Sequence, residues 1–136
     1  LLGQLMNPDV FMGNQWVISQ RSTCLGLMQG ENIRLTFYVF PLYKNFGSEQ
    51  GFAASGVADV DSFAAKRKDG ALTLMVINLS DSEQRIPLQV AGRTVTQAET
   101  WLLDINHNAE NLGEQPLPAD GILTLPAQSA TLYVIK

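Results

Sequence analysis

The pattern of apolar and polar positions is most legible between Val60 and Leu79. Residues 60–66 read as one arm of a hairpin. Asp69-Gly70 reads as its turn, because glycine accepts the positive φ that a two-residue primed turn needs. Beyond the turn, Leu72, Leu74 and Val76 share one parity, and Thr73, Met75 and Ile77 share the other. Both faces are then largely apolar, which suits a central strand covered on both sides and not an edge. Charge gathers only at the turn, in Lys66, Arg67, Lys68 and Asp69.

The β pattern continues to the last residue. Residues 51–58 read as a short strand ahead of the hairpin, and Ser80-Asp81-Ser82-Glu83 as a polar connection after it. Residues 84–90 alternate Ile86, Leu88 and Val90, with Pro87 pointing to a sheet edge. Ala91-Gly92-Arg93 turns the chain into a strand over 94–104, and 106–120 reads as a long polar loop. Two final strands, 121–125 and 129–135, flank Pro126-Ala127-Gln128, and the second reads as interior. About seven to eight short strands, with turn signals roughly every 8–12 residues, predict a mainly β fold, an antiparallel β-sandwich.

Upstream the pattern changes. Residues 32–46 are dense in apolar and aromatic side chains, and Gly47 stands where a helix C′ glycine would. Pro41 would cost about 3 kcal/mol in a helix interior. Either a helix kinks there, or residues 36–40 are extended and a helix begins at Pro41; a helix over most of the span is favoured. In residues 1–31, Leu1, Leu2, Leu5 and Met6 offer a short helical face and Asn7-Pro8 stops it. Gly13-Asn14, Gly26 and Gly30 break the apolar runs downstream. That stretch predicts loop and short helix without a firm assignment. The expected division is an N-terminal segment, 1–47, and a sandwich domain, 48–136.

Composition narrows the function classes. The 136 residues suit one domain with a real core. Only 16% are charged, against a usual ~25%, so part of the surface is expected to lie against something else. A net charge of −4 argues against nucleic acid, and no apolar run approaches the ~20 residues of a membrane span. The single cysteine, Cys24, excludes an intramolecular disulfide. The opening Leu-Leu-Gly-Gln-Leu resembles neither a start site nor a signal peptide, so the chain reads as a piece of a longer polypeptide.

Chemistry-bearing residues are sparse. His107 is the only histidine, no Gly-x-Ser-x-Gly elbow exists, and a loop histidine reads as solvated. Asp104, Asn106, Asn108 and Glu110 space oxygen atoms at alternate positions, as calcium loops do. The sixth position is Ala109 where such a loop wants Gly, and Asx residues also serve ordinary turns. Calcium is thus a candidate cofactor on spacing alone, and no other is implied. For sugar contact the candidates are Trp16 and Tyr43, because flat rings stack on sugar faces; Trp101 lies in an apolar strand and reads as core. Thirteen acidic residues are scattered over turns, with no pair set for glycoside chemistry.

Three stretches carry a resemblance. Phe37-Tyr38-Val39-Phe40-Pro41-Leu42-Tyr43-Lys44-Asn45 resembles the last barrel helix of clan A glycoside hydrolases. Met75-Val76-Ile77-Asn78-Leu79-Ser80 is similar to their sandwich strand ending in Asn plus a small polar residue. Leu125-Pro126-Ala127-Gln128-Ser129-Ala130-Thr131-Leu132 is similar to their closing strand. The nearest likenesses are family 51 arabinofuranosidases, family 44 endoglucanases and family 39-like enzymes. The resemblance implies a non-catalytic accessory sandwich attached to a (β/α)8 barrel in the same parent chain, which acts on plant-type polysaccharide. It carries over no catalytic residue, leans towards secretion, and implies that the isolated chain either self-associates or leaves residues 1–46 poorly ordered. The alternatives are a carbohydrate-binding module that engages polysaccharide directly, or an independent hydrolase.

Overall fold

The computed structural model describes residues 2–4, 17–21 and 26–136. A small hairpin, β1 (Met28–Gln29) and β2 (Asn32–Ile33), turns at Gly30, whose φ is +62°. A 3-10 turn, Leu35–Tyr38, then leads into α1, Val39–Asn45. Pro41 is the third residue of α1, inside its first turn, where an amide has no intrahelical acceptor in any case. The helix therefore forms with its proline in place, and residues 36–40 are helical, not extended.

Gly47 has a different role from the expected C′ glycine. Phe46 ends the helix with extended backbone, and a Cβ on Gly47 would sit 2.6 Å from the Lys66 carbonyl. Glycine is needed there for close approach to the sheet. Its amide donates to Thr73 Oγ1 at 3.0 Å, and Thr73 in turn donates to the Ala65 carbonyl.

The remaining strands are β3 (Glu49–Gly51), β4 (Val60–Lys66), β5 (Leu72–Asn78), β6 (Gln84–Pro87), β7 (Gln97–Leu103), β8 (Asn108–Pro116), β9 (Ile122–Leu125) and β10 (Ser129–Ile135). They form a large antiparallel sheet in the order β3-β4-β5-β10-β7-β8, and a small one pairing β6 with β9. The fold is mainly β and sandwich-like, as the alternation predicts, with ten strands among the described residues. Strands β5 and β10, which are apolar on both parities, lie at the centre of the large sheet.

Each face of that sheet carries its own core. The inner face packs Val60, Val76, Ala98, Tyr133 and Ile135 against Ile86, Leu123 and Leu125 of the small sheet. Burial there pushes the Tyr133 phenol up to about 12. The outer face packs Met75, Leu103, Leu132 and Val134 beneath Leu42 of α1. Pro87 ends β6, at the edge its missing amide suits.

Three expectations are corrected. The first concerns the hairpin turn. The Gly70 amide donates to the Arg67 carbonyl and the Arg67 amide to the Ala71 carbonyl, with Gly70 at φ +90°. The loop is three residues, Lys68-Asp69-Gly70, closed by a glycine bulge and not a two-residue primed turn. Second, residues 52–58 are not a strand; the edge strand is β3, just upstream. Third, much of the polar 106–120 stretch is β8. An edge strand with most positions exposed needs no apolar alternation, and register shifts against β7 together with Gly113 at φ +75° interrupt its period further.

Candidate functional site

The exposed large apolar side chains separate by region. Ile18, Ile33, Leu35 and Phe40 all belong to the segment upstream of the sheets, at 69%, 48%, 48% and 40% exposure. The local reason is the amphipathic build of the 3-10 turn and α1. Leu42 faces the sheet and is fully buried, with Tyr38, Val39, Tyr43 and Phe46 around it; Phe40, two residues before Leu42, falls on the opposite side, and Leu35 is exposed at the start of the 3-10 turn. In the sandwich, Phe52, Leu79 and Ile105 are exposed singly, on connections between strands.

Of the sugar-contact candidates, Trp16 lies outside the described residues. Tyr43 turns inward, its ring edge-on to Phe46 at 5.6 Å between centroids. Its hydroxyl is buried without a hydrogen-bond partner. Burial pushes the phenol up from its ordinary value; the Gly3 backbone opposes that shift without completing a bond of normal geometry. No polar atom of Tyr43 is then presented to a sugar. Trp101 is half-buried on the outer face, where its Nε1 donates to Glu99 at 3.2 Å. Asn111 donates to the same carboxylate and Lys136 pairs with it. Burial alone would raise Glu99, but these partners outweigh it and hold the carboxyl below its usual value.

The calcium-like spacing becomes a turn. Asp104 Oδ1 accepts from the Asn106 amide at 2.7 Å, the His107 amide at 2.8 Å and the His107 ring at 2.8 Å. Burial would raise the Asp104 carboxyl, yet the His107 ring and the two amides together lower it. Asn108 and Glu110 leave this turn as exposed positions of β8, opposite Leu103 and Leu102. The structure thus brings Asp104, Asn106 and His107 together in an Asx turn and carries the other two into a strand. Among the described residues no group of three or more His, Cys, Asp or Glu could hold a metal.

A buried polar knot was not anticipated from the sequence. Asn78, 1% exposed, ends β5 and donates to the carbonyls of Ser82 and Pro126, each at 2.8 Å, and to that of Leu125 at 3.3 Å. Its Oδ1 accepts from the amide and hydroxyl of Ser80. Ser129 Oγ donates to the Pro126 carbonyl at 2.7 Å. Two of the stretches that carry the resemblance therefore meet in space, and their signature residues tie the two sheets at one end. The available signal was an asparagine closing an apolar strand.

Two hollows open on the sandwich. One, of about 770 Å3, lies between residues 88–96 and 117–121. A groove of about 620 Å3 opens on the inner face beside β3, β4 and β6.

Two facing antiparallel sheets, with a helix on the outer face of the larger, define an immunoglobulin-like sandwich domain. The family described as D-apionate lactonase, C-terminal immunoglobulin-like domain, matches residues 58–128, and the chain belongs to it. Comparison with curated proteins finds no match. Among solved structures, a family 44 xyloglucanase of Paenibacillus polymyxa is similar at TM-score 0.70 and 21% identity, over 99% of this chain and 27% of that one. A family 30 endoxylanase of Clostridium papyrosolvens is similar at TM-score 0.69 and 16% identity, over 89% and 32%. A family 30 subfamily 8 xylanase of Clostridium acetobutylicum is similar at 0.69 and 20%, over 84% and 31%. At such identities the likeness is one of fold. The chain spans about a third or less of the length of these structures. Family 44 is one of the families the sequence resembles.

Proposed function

We propose that this chain is a non-catalytic accessory domain that packs on, and stabilises, the catalytic barrel of a glycoside hydrolase acting on plant-type polysaccharide. The carrying observation is that Ile18, Ile33, Leu35 and Phe40, four of the seven exposed large apolar side chains among the described residues, all belong to the segment upstream of the sandwich. Exposed apolar side chains concentrated in one segment support a surface built for a partner. Placement of similar domains in glycoside hydrolases of families 30 and 44 supports the choice of partner. A second reading comes from the family itself: the attached catalytic part is a lactonase acting on D-apionate. The packing role is the same in both, and assays of the parent polypeptide on xylan and on the lactone separate them.

The test is the Leu35→Ser, Phe40→Ser double variant. In the parent polypeptide it is expected to split one calorimetric unfolding transition into two. In the isolated chain it is expected to leave stability within about 1 kcal/mol, since both sites are already exposed, and to reduce self-association. An unsplit transition, with self-association unchanged, would defeat the reading. Direct binding is the competing class. Phe40 and Phe52, the exposed aromatic residues among those described, stand on different layers and form no platform. Retention of the isolated chain by xylan, cellulose or arabinan would replace the packing role with that of a carbohydrate-binding module.

A further inference from the structure

The chain has two Asp-Gly pairs, Asp69-Gly70 and Asp120-Gly121, and no Asn-Gly pair. Such a pair carries a reaction of its own, because glycine has no Cβ to shield its amide nitrogen from the preceding carboxyl. The nitrogen attacks the Asp Cγ, a C–N bond forms, and a carboxyl C–O bond breaks with loss of one water. The five-membered imide then takes water back at either carbonyl. Addition at the side-chain carbonyl restores aspartate. Addition at the main-chain carbonyl leaves isoaspartate, with the backbone routed through Cβ and Cγ. No oxidant or reductant is consumed.

Both aspartates are exposed, and both sit in Asx turns. Asp69 Oδ1 accepts from the Ala71 amide at 3.1 Å, and Asp120 Oδ1 from the Ile122 amide at 3.0 Å. The attacking amide is also engaged in each: Gly70 donates to the Arg67 carbonyl at 3.0 Å, and Gly121 to the Pro118 carbonyl at 2.9 Å. Attack therefore waits for local opening, and there the two places differ. The second oxygen of Asp69 is held by the Arg67 guanidinium at 3.0 Å, and the Arg67 amide closes the loop onto the Ala71 carbonyl at 2.8 Å. The seven-residue strands β4 and β5 pair directly beyond. Asp120 meets Arg85 only at 3.8 Å, outside hydrogen-bond reach. Its glycine leads into β9, a four-residue strand paired only with the four-residue β6. A ladder of fewer pairs opens at lower cost, so the small sheet frees its glycine more often.

We propose that Asp120-Gly121 is a self-modification site, where spontaneous isomerisation unlatches the small sheet. Isoaspartate at position 120 adds one methylene to the main chain directly before β9. The Gly121 carbonyl, which accepts from the Leu88 amide at 2.7 Å, then loses its register. That bond stands at the end of the ladder, next to the Pro87–Ile122 pair. Leu123 and Leu125 of β9 belong to the inner core, so the change loosens the cover of the inner face and spares the outer face under α1. Asp69-Gly70 is the internal comparison, with the same chemistry in a guarded turn.

The test incubates the chain in mildly acidic oxygen-18 water at physiological temperature. Each passage through the imide leaves one heavy oxygen in the residue, read by peptide mass mapping. A protease that cuts before aspartate but not before isoaspartate reads the isomer. Heavy oxygen is expected to enter Asp120 about tenfold faster than Asp69 in the folded chain, and both at one rate in concentrated urea. Amide exchange at Leu88 is expected to quicken in step with isoaspartate at position 120, while exchange at Met75 stays slow. Asp120→Glu, which could close only a slower six-membered imide, is expected to abolish both changes and keep the fold. Equal labelling of the two aspartates in the folded chain, the same preference in urea, or an unchanged Leu88 amide in isomerised chain would each overturn the proposal.

Discussion

The two faces of β5 show how differently one strand can be finished. On the outer face Ala71, Thr73 and Met75 are all buried, beneath a single short helix whose Leu42 is fully enclosed. On the inner face Val76 and Asn78 are sealed by the small sheet, while Leu72 and Leu74 are only partly buried. The central strand β10 is buried on both faces, through Tyr133 and Ile135 on the inner one and Leu132 and Val134 on the outer one, so the difference lies in β5. Cover depends on where the packing side chains reach: Leu42 of the helix shares a core with Met75 of β5 and Leu132 and Val134 of β10. Along β5 itself, the inner face is fully buried only towards the end where Asn78 ties it.

Truncating the two sides should break this contrast or sharpen it. Met75→Ala removes a fully buried side chain and is expected to cost about 2–5 kcal/mol in urea unfolding. Asn78→Ala removes the donor to the carbonyls of Ser82, Leu125 and Pro126, the Leu125 bond being buried, at an expected cost on the order of 2–3 kcal/mol. Leu74→Ala, at the open part of the inner face, is expected to cost only about 1–1.5 kcal/mol. Equal losses at Met75 and Leu74 would remove the asymmetry. The smallest effect concerns Asp104, whose carboxyl is held below its ordinary value of 3.8. A depressed folded pKa adds stability that is complete above the unfolded value and lost as pH falls through the folded one. Stability should therefore be flat in this contribution above about pH 4 and decline below it. Asp104→Asn should flatten that decline, as measured by urea midpoints at stepped pH.

Legibility followed burial. β5 and β10 could be read because both parities are apolar, and they occupy the interior of the large sheet. β8 could not, because Asn-Ala-Glu-Asn-Leu-Gly-Glu-Gln-Pro carries edge chemistry, and most of its positions meet water. The apolar tint of residues 52–58 suggested a strand, yet Phe52 and Ala53 line the groove without pairing. At the hairpin, Asp69-Gly70 marked the turn, but loop length depended on a bulge that the dipeptide does not encode. The candidate site was legible as an apolar, aromatic-rich segment. Which of its residues face outward was set by Pro41 sitting in the first helical turn, a placement the sequence left between two alternatives. The Asp104 spacing was visible, while its use as a turn depended on the inward-facing carboxylate and three nearby N–H donors.

The position of β10 has a consequence for the order of events during synthesis. This last of the ten strands lies between β5 and β7, so the large sheet is split in two until residue 135 has left the ribosome. Earlier nascent chains can close the β4–β5 hairpin but expose the bare flank of β5, an aggregation hazard of slow, non-local β assembly. The sheet is therefore expected to close in one late insertion that joins both halves.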